Sequence, residues 1–120
     1  MTGLLVVDAQ RGLFEMIHDP APKVAAMRDL LERARTGRIP VFFTQDLDVG
    51  EPGSEARAIH PELTPLKGET VIQKGAADAF HGTQLEAFLK ARGVTRVGVC
   101  VANPRLRFCL RRWEPSIGGF

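Results

Sequence analysis

Cysteine is scarce in this chain of 120 residues, which holds Cys100 and Cys109 and no others. A small scaffold stapled by disulfides needs more than that, so the fold has to rest on an apolar core. Long apolar runs are also missing, and nothing approaches the roughly 20 residues of a membrane span. Behind Met1-Thr2-Gly3 a strand-like run begins at once, without the basic segment, apolar stretch and small-residue cleavage site of a leader. These gaps lead to the expectation of a cytoplasmic protein with both thiols reduced and no membrane contact. Histidine is sparse as well, at three residues. Asp46-Leu47-Asp48 puts two carboxylates together, yet no histidine stands close enough in sequence to complete a transition-metal set, so no metal is expected.

Neither sign of charge dominates: 16 basic residues stand against 14 acidic ones, a net charge of +2. The surplus is local. Arg105, Arg107, Arg111 and Arg112 against Glu114 give the last 18 residues +3 and leave the first 102 at −1. A nucleic-acid footprint needs a basic face across the domain, so no such partner is expected. What remains, 44% hydrophobic and 25% charged residues, is the composition of one ordinary globular domain over 1–120.

The apolar pattern predicts an α/β fold. Gly3 to Val7 is a continuous apolar run, as in a strand buried on both faces of a parallel sheet. Pro20-Ala21-Pro22 is expected to delay the first helix to Lys23, after which Val24, Met27, Leu31 and Ala34 recur at helical spacing up to Gly37. Val41 to Thr44 is the second strand, and a long loop follows from Asp46 to Glu69; loops of that length are commonly lids or interaction segments. Thr70 to Gln73 is the third strand. Thr83-Gln84-Leu85-Glu86 reads as a capping box opening a helix that stops at Gly93, and Arg96 to Val101 is the fourth strand. Strands alternating with helices imply a parallel sheet covered by helices. After Val101 the pattern fails, and residues 103–113 are expected to form at most a basic helical turn or two. The sheet would then keep an exposed edge, which native proteins normally cover.

Two charges end core strands. Asp8 follows Leu4-Leu5-Val6-Val7, and Lys74 follows Thr70-Val71-Ile72-Gln73. In open parallel sheets, ligands bind outside the carboxyl ends of the strands, so Asp8 is a candidate general base. Lys74 is a candidate cation to hold Asp8 ionised and to stabilise developing negative charge. The bland alternative is an aspartate that ties its own loop. Gln10, Phe14 and Phe80 either fill the rim of the core or line a pocket there, and His60, between Ile59 and Pro61, reads as a packing or turn residue. Cys109 is the candidate nucleophile, since four arginines surround it in sequence and cations favour the thiolate. Cys100, inside a strand, reads as an inert core thiol.

Taken together, Leu5-Val6-Val7-Asp8-Ala9-Gln10 with Phe14, Val41-Phe42-Phe43-Thr44-Gln45-Asp46, Ile59-His60-Pro61-Glu62-Leu63, Val71-Ile72-Gln73-Lys74 and Ala79-Phe80-His81-Gly82-Thr83-Gln84-Leu85 resemble the isochorismatase-like cysteine hydrolases. That family includes nicotinamidases and other amidohydrolases. The resemblance spans about residues 4–101. It implies a three-layer sheet sandwiched by helices and an Asp, Lys and Cys triad that hydrolyses C–N or vinyl-ether bonds of small molecules without an organic cofactor. Asp8 and Lys74 match the first two members. Without gaps, the nucleophile position falls on Arg107; shifting by two residues brings Phe108-Cys109-Leu110 onto the family's aromatic-Cys-Val step. The strands and helices that the family carries after its cysteine are absent, so 103–120 reads as a divergent tail and the chain as truncated or altered near Val101. The nicotinamidase branch is disfavoured, because its metal site uses an Asp-x-His step where this chain has Asp46-Leu47-Asp48.

The expected function is therefore hydrolysis of a small amide or related substrate through an acyl-thioester, with Asp8, Lys74 and Cys109 as the triad. The rival is an inactive remnant or interaction module in which Asp8 and Lys74 form a structural ion pair. Self-association is expected in either case.

Overall fold

Strand-end residues can make a site only if the sheet brings those ends together, and the pairing does so. The structure is a computed structural model that describes residues 2–74, 85–101 and 110–113. In chain order it has β1 (Thr2–Val7), α1 (Arg11–Phe14), α2 (Ala21–Thr36), β2 (Val41–Asp46), a 3-10 turn at Pro61–Leu63, β3 (Thr70–Lys74), α3 (Leu85–Ala91), β4 (Arg96–Val101) and β5 (Leu110–Trp113). The sheet order is β3-β2-β1-β4-β5. The first four strands are parallel, and β5 lies antiparallel on β4 with Cys100 opposite Leu110 and Val97 opposite Trp113.

Strand side chains alternate between faces, and the two faces carry two cores. Leu4, Val6, Val41, Phe43 and Cys100 pack against Val24, Met27, Leu31 and Ala34 of α2. Those four helical positions are spaced by three and four residues, so they form one stripe. On the opposite face Leu5, Phe42, Ile72, Val97 and Val99 pack against Leu85 and Leu89 of α3 and against Val94. The parallel sheet sandwiched by helices is thus present.

Two expectations are corrected. Helix α2 begins at Ala21, not Lys23, with Pro22 inside its first turn; the first backbone N–H groups of a helix have no partner within it, so a proline there costs nothing. Leu110–Trp113, the end of the segment expected as a basic helical turn or two, is a strand. An extended segment at Leu110–Trp113 can pair with the ladder groups of β4 that a helix would leave open, and among the described residues the sheet has five strands instead of four. The Thr83 capping box lies outside the described residues.

Candidate functional site

The sheet order reverses between β1 and β4: the chain moves outward from β1 to β2 and β3, then crosses to the other side of β1. The crevice at the carboxyl end of such a switch is where α/β sheets bind ligands. Asp8 immediately follows β1 at this point. Its backbone takes φ 52°, a left-handed conformation in which aspartate is more tolerable than most side chains. Three hydrogen bonds with Thr44 hold it. Its N–H donates to the Thr44 carbonyl and the Thr44 hydroxyl, each at 3.2 Å, and the same hydroxyl donates to Asp8 Oδ1 at 2.9 Å. Thr44 is fully buried at the level of Val7 on the neighbouring strand. Asp8 is half-buried, and its carboxylate is oriented by the hydroxyl of the buried Thr44.

Lys74 closes β3 in register with Asp46, the last residue of β2. The backbone thus sets Asp8, Asp46 and Lys74 on one rim, at the ends of three adjacent strands. Phe80 and Cys109, the other expected site residues, lie outside the described residues.

Behind the rim, side chains fasten the loops to the sheet. The Gln10 side chain, with no exposed surface, spends its whole amide on main chain: Nε2 donates to the carbonyls of Asp46 (3.0 Å) and Arg57 (2.8 Å), and Oε1 accepts from the Asp46 N–H (2.9 Å). Gln45 Nε2 adds a second donor to the Arg57 carbonyl at 2.9 Å. Arg57 in turn reaches back over the loop and donates to the carbonyls of Leu47, Val49 and Gly50. A Cβ on Gly50, whose φ is +66°, would stand 2.6 Å from Ser54 Oγ, so this turn requires glycine. Phe14 is buried and meets His60 edge to face with ring centroids 5.3 Å apart. His60 also accepts the Glu62 N–H at Nδ1 (3.1 Å), capping the 3-10 turn, which is the packing and turn role its sequence position suggests.

Thr44 and Arg57 were not singled out by the sequence. A signal for Thr44 existed, since a polar residue continuing the Val41-Phe42-Phe43 run beside the Asp8 strand has to satisfy its hydroxyl somewhere near that strand's end. Arg57 had none, because its partners are carbonyls of a loop whose path is not written in any periodicity. Among the described residues, no group of three or more His, Cys, Asp or Glu side chains could hold a metal ion. No helix among them is long and apolar enough to cross a membrane.

Residues 2–100 match the family model described as the isochorismatase domain. The chain is 32% identical over 109 residues to YddQ, an uncharacterized isochorismatase family protein of Bacillus subtilis, covering 82% of this chain and 61% of that one. It is 36% identical over 104 residues to the streptothricin hydrolase of Streptomyces noursei, with coverages of 81% and 38%. Among solved structures, N-carbamoylsarcosine amidase from Thermoplasma acidophilum superposes with a TM-score of 0.69 at 27% identity, over 83% of this chain and 66% of that one. The chain thus spans less than two thirds of the length of these relatives.

Proposed function

The chain belongs to the isochorismatase domain family, and from that premise we propose that it hydrolyses a C–N bond of a small amide through Asp8, Lys74 and Cys109. The observation that carries this is the Asp8 carboxylate, half-buried at the switch point of the sheet and oriented by the Thr44 hydroxyl at 2.9 Å. The streptothricin hydrolase and the N-carbamoylsarcosine amidase, both similar to this chain, bear names of hydrolytic enzymes. That likeness supports the reaction class.

In this reading Asp8 takes the Cys109 thiol proton, and the sulfur attacks the substrate carbonyl carbon. The Lys74 ammonium stabilises the charge that develops on oxygen. The C–N bond then breaks, the amine leaves with the proton held by Asp8, and an acyl-thioester remains. Water, deprotonated by Asp8, attacks the thioester, and the acid and the free thiol are released. No organic cofactor or metal is needed. Phe80 is proposed as a wall of the substrate pocket; Gln10 and Phe14, expected beside it, are both buried and would support that pocket from within the core.

A non-catalytic reading, with Asp8 and Lys74 as a structural ion pair, has one observation in its favour: the family match ends at residue 100, before Cys109. Labelling with iodoacetamide across pH separates the two. Cys100 is 1% exposed and stays silent in the folded protein, so the label reports Cys109. The enzyme reading expects labelling well below pH 8, the ordinary thiol range, lost in Asp8→Asn and absent in Cys109→Ser. A thiol that titrates normally and ignores Asp8→Asn would favour the non-catalytic reading.

A further inference from the structure

At the end of the sheet opposite Asp8 lies a concave surface, a groove of about 400 Å³ between the end of α2, the start of β2, the loop before β3 and the end of α3. From Val41 at this groove to Asp46 at the rim, β2 spans about 17 Å at a rise of roughly 3.3 Å per residue, so the two surfaces are separate. Four cations line the groove, Arg35, Arg38, Lys67 and Arg92, against one carboxylate, Glu69. Glu69 is taken by Arg35, through Nε at 2.9 Å and Nη2 at 2.7 Å. Among the described residues, Arg38, Lys67 and Arg92 have no acidic partner within 4.0 Å. Arg92 is held in place with its guanidinium 5.8 Å over the Phe42 ring. Ile39, Pro40, Val41 and Leu66 supply an apolar wall, with Leu66 54% exposed.

Arg38 adds a second, independent observation at this groove, a backbone conformation that its turn would reserve for glycine. The end of α2 is a Schellman turn, in which the Ile39 N–H donates to the Ala34 carbonyl at 2.8 Å and the Arg38 N–H to the Arg35 carbonyl at 3.1 Å. That turn puts its penultimate position in the left-handed region, where glycine is the unstrained choice. Helix α3 obeys the rule, with Gly93 at φ +69° and the matching Val94-to-Leu89 and Gly93-to-Lys90 bonds. Helix α2 does not. Its glycine, Gly37, sits one residue early at φ −81°, and Arg38 takes φ 57°. A long basic side chain in that conformation is strained, and strain kept next to a concave surface points to function.

We propose that this groove is a binding site for a small organic dianion with an apolar body, of the phosphate-monoester class. The guanidinium groups of Arg38 and Arg92 offer planar donor forks that match phosphate oxygens, and Lys67 adds a point charge. A net lining charge of +3 favours a dianion over a monocarboxylate, and the Ile39 and Leu66 wall suits a ring or chain more than a bare inorganic ion.

The probe is phenyl phosphate, titrated into the isotopically labelled full chain and followed by amide chemical shifts. Saturable shifts are expected at Arg38, Ile39, Lys67, Gly68 and Arg92, with inorganic phosphate and benzoate each binding at least fivefold more weakly. Arg38→Gly is expected to weaken binding about tenfold while raising the melting temperature, because the strained residue is replaced by the one the turn prefers. Lys67→Gln, an exposed change, is expected to weaken binding without altering the melt. Loss of binding together with a gain of stability in Arg38→Gly cannot be explained by unfolding. Shifts that are absent, spread over the surface, or unchanged in both variants would overturn the site.

Discussion

The Thr44 hydroxyl is the contact on which the proposed chemistry turns at the scale of a single residue. It accepts from the Asp8 N–H and donates to the Asp8 carboxylate, and a hydrogen bond to the charged form of a carboxyl favours that form. Thr44→Val keeps the shape and removes the hydroxyl. The Asp8 N–H retains the Thr44 carbonyl at 3.2 Å, so the turn should survive, at a stability loss of about 1 kcal/mol. The hydrogen bond from the Thr44 hydroxyl makes the Asp8 carboxylate a weaker base, so without it the reactive form of Cys109 is expected to appear at lower pH than in the wild type when its iodoacetamide labelling rate is measured from pH 5 to 10. An unchanged rate profile alongside the stability loss would show that Thr44 serves the turn alone. Asp8 itself was legible in the sequence because it ends an apolar run; its partner was not, because nothing in a sequence states which strand lies beside which.

Between elements, the fork of Arg35 and Glu69 joins the last turn of α2 to the loop before β3. The side chains are 24% and 12% exposed, so solvent screens this pair less than the exposed pairs on α2, such as Arg28 with Glu32 at 55% and 63%. Burial alone would raise the Glu69 carboxyl. The hydrogen bonds from Arg35 and the Leu66 N–H, with the Arg35 charge, outweigh burial and hold it below its ordinary range. The hydrogen bond to Glu69 in turn raises the Arg35 guanidinium against its own desolvation. A carboxyl lowered on folding adds stability that is complete above its unfolded pKa, roughly 4.3, and is lost as pH falls through the lower folded value. Glu69→Gln is therefore expected to cost about 1–3 kcal/mol at pH 7, measured by urea unfolding, and the gap from the wild type should narrow steadily below pH 4. A gap that stays constant with pH would mean that the pair acts by packing and not by charge. The helices and strands themselves were readable because their apolar spacings are local, three and four residues in α2 and continuous runs in β1 and β2. The start of α2 was misplaced because a proline in the first turn looks in sequence like a barrier, and β5 was missed because Leu110-Arg111-Arg112-Trp113 becomes a strand only through the pairing that β4 offers it.

For the whole molecule, the order β3-β2-β1-β4-β5 buries β1 at the centre and, among the described residues, leaves β3 and β5 as the margins of the sheet. Closing the β4 edge with β5 relieves one hazard that the sequence suggested, but it does not remove edges; a sheet that does not close always has two. On β3, Val71 keeps 41% of its surface exposed, and Thr70 and Gln73 add neutral polar neighbours along the same strand. An edge strand with an exposed β-branched residue is a template for another strand, and a second copy of the chain carries the matching edge in every solution of the pure protein. Self-association through β3 is accordingly expected, seen by light scattering as a weight-average mass that climbs toward twice the monomer value as concentration rises. A lysine at the same position would place a charge on the template, so Val71→Lys should hold the protein at the monomer mass over that range. The substitution is on an exposed position, so its thermal melt at low concentration should match the wild type within about 0.5 kcal/mol. A wild type that scatters as a monomer at every concentration would show that the β3 edge does not template a second copy.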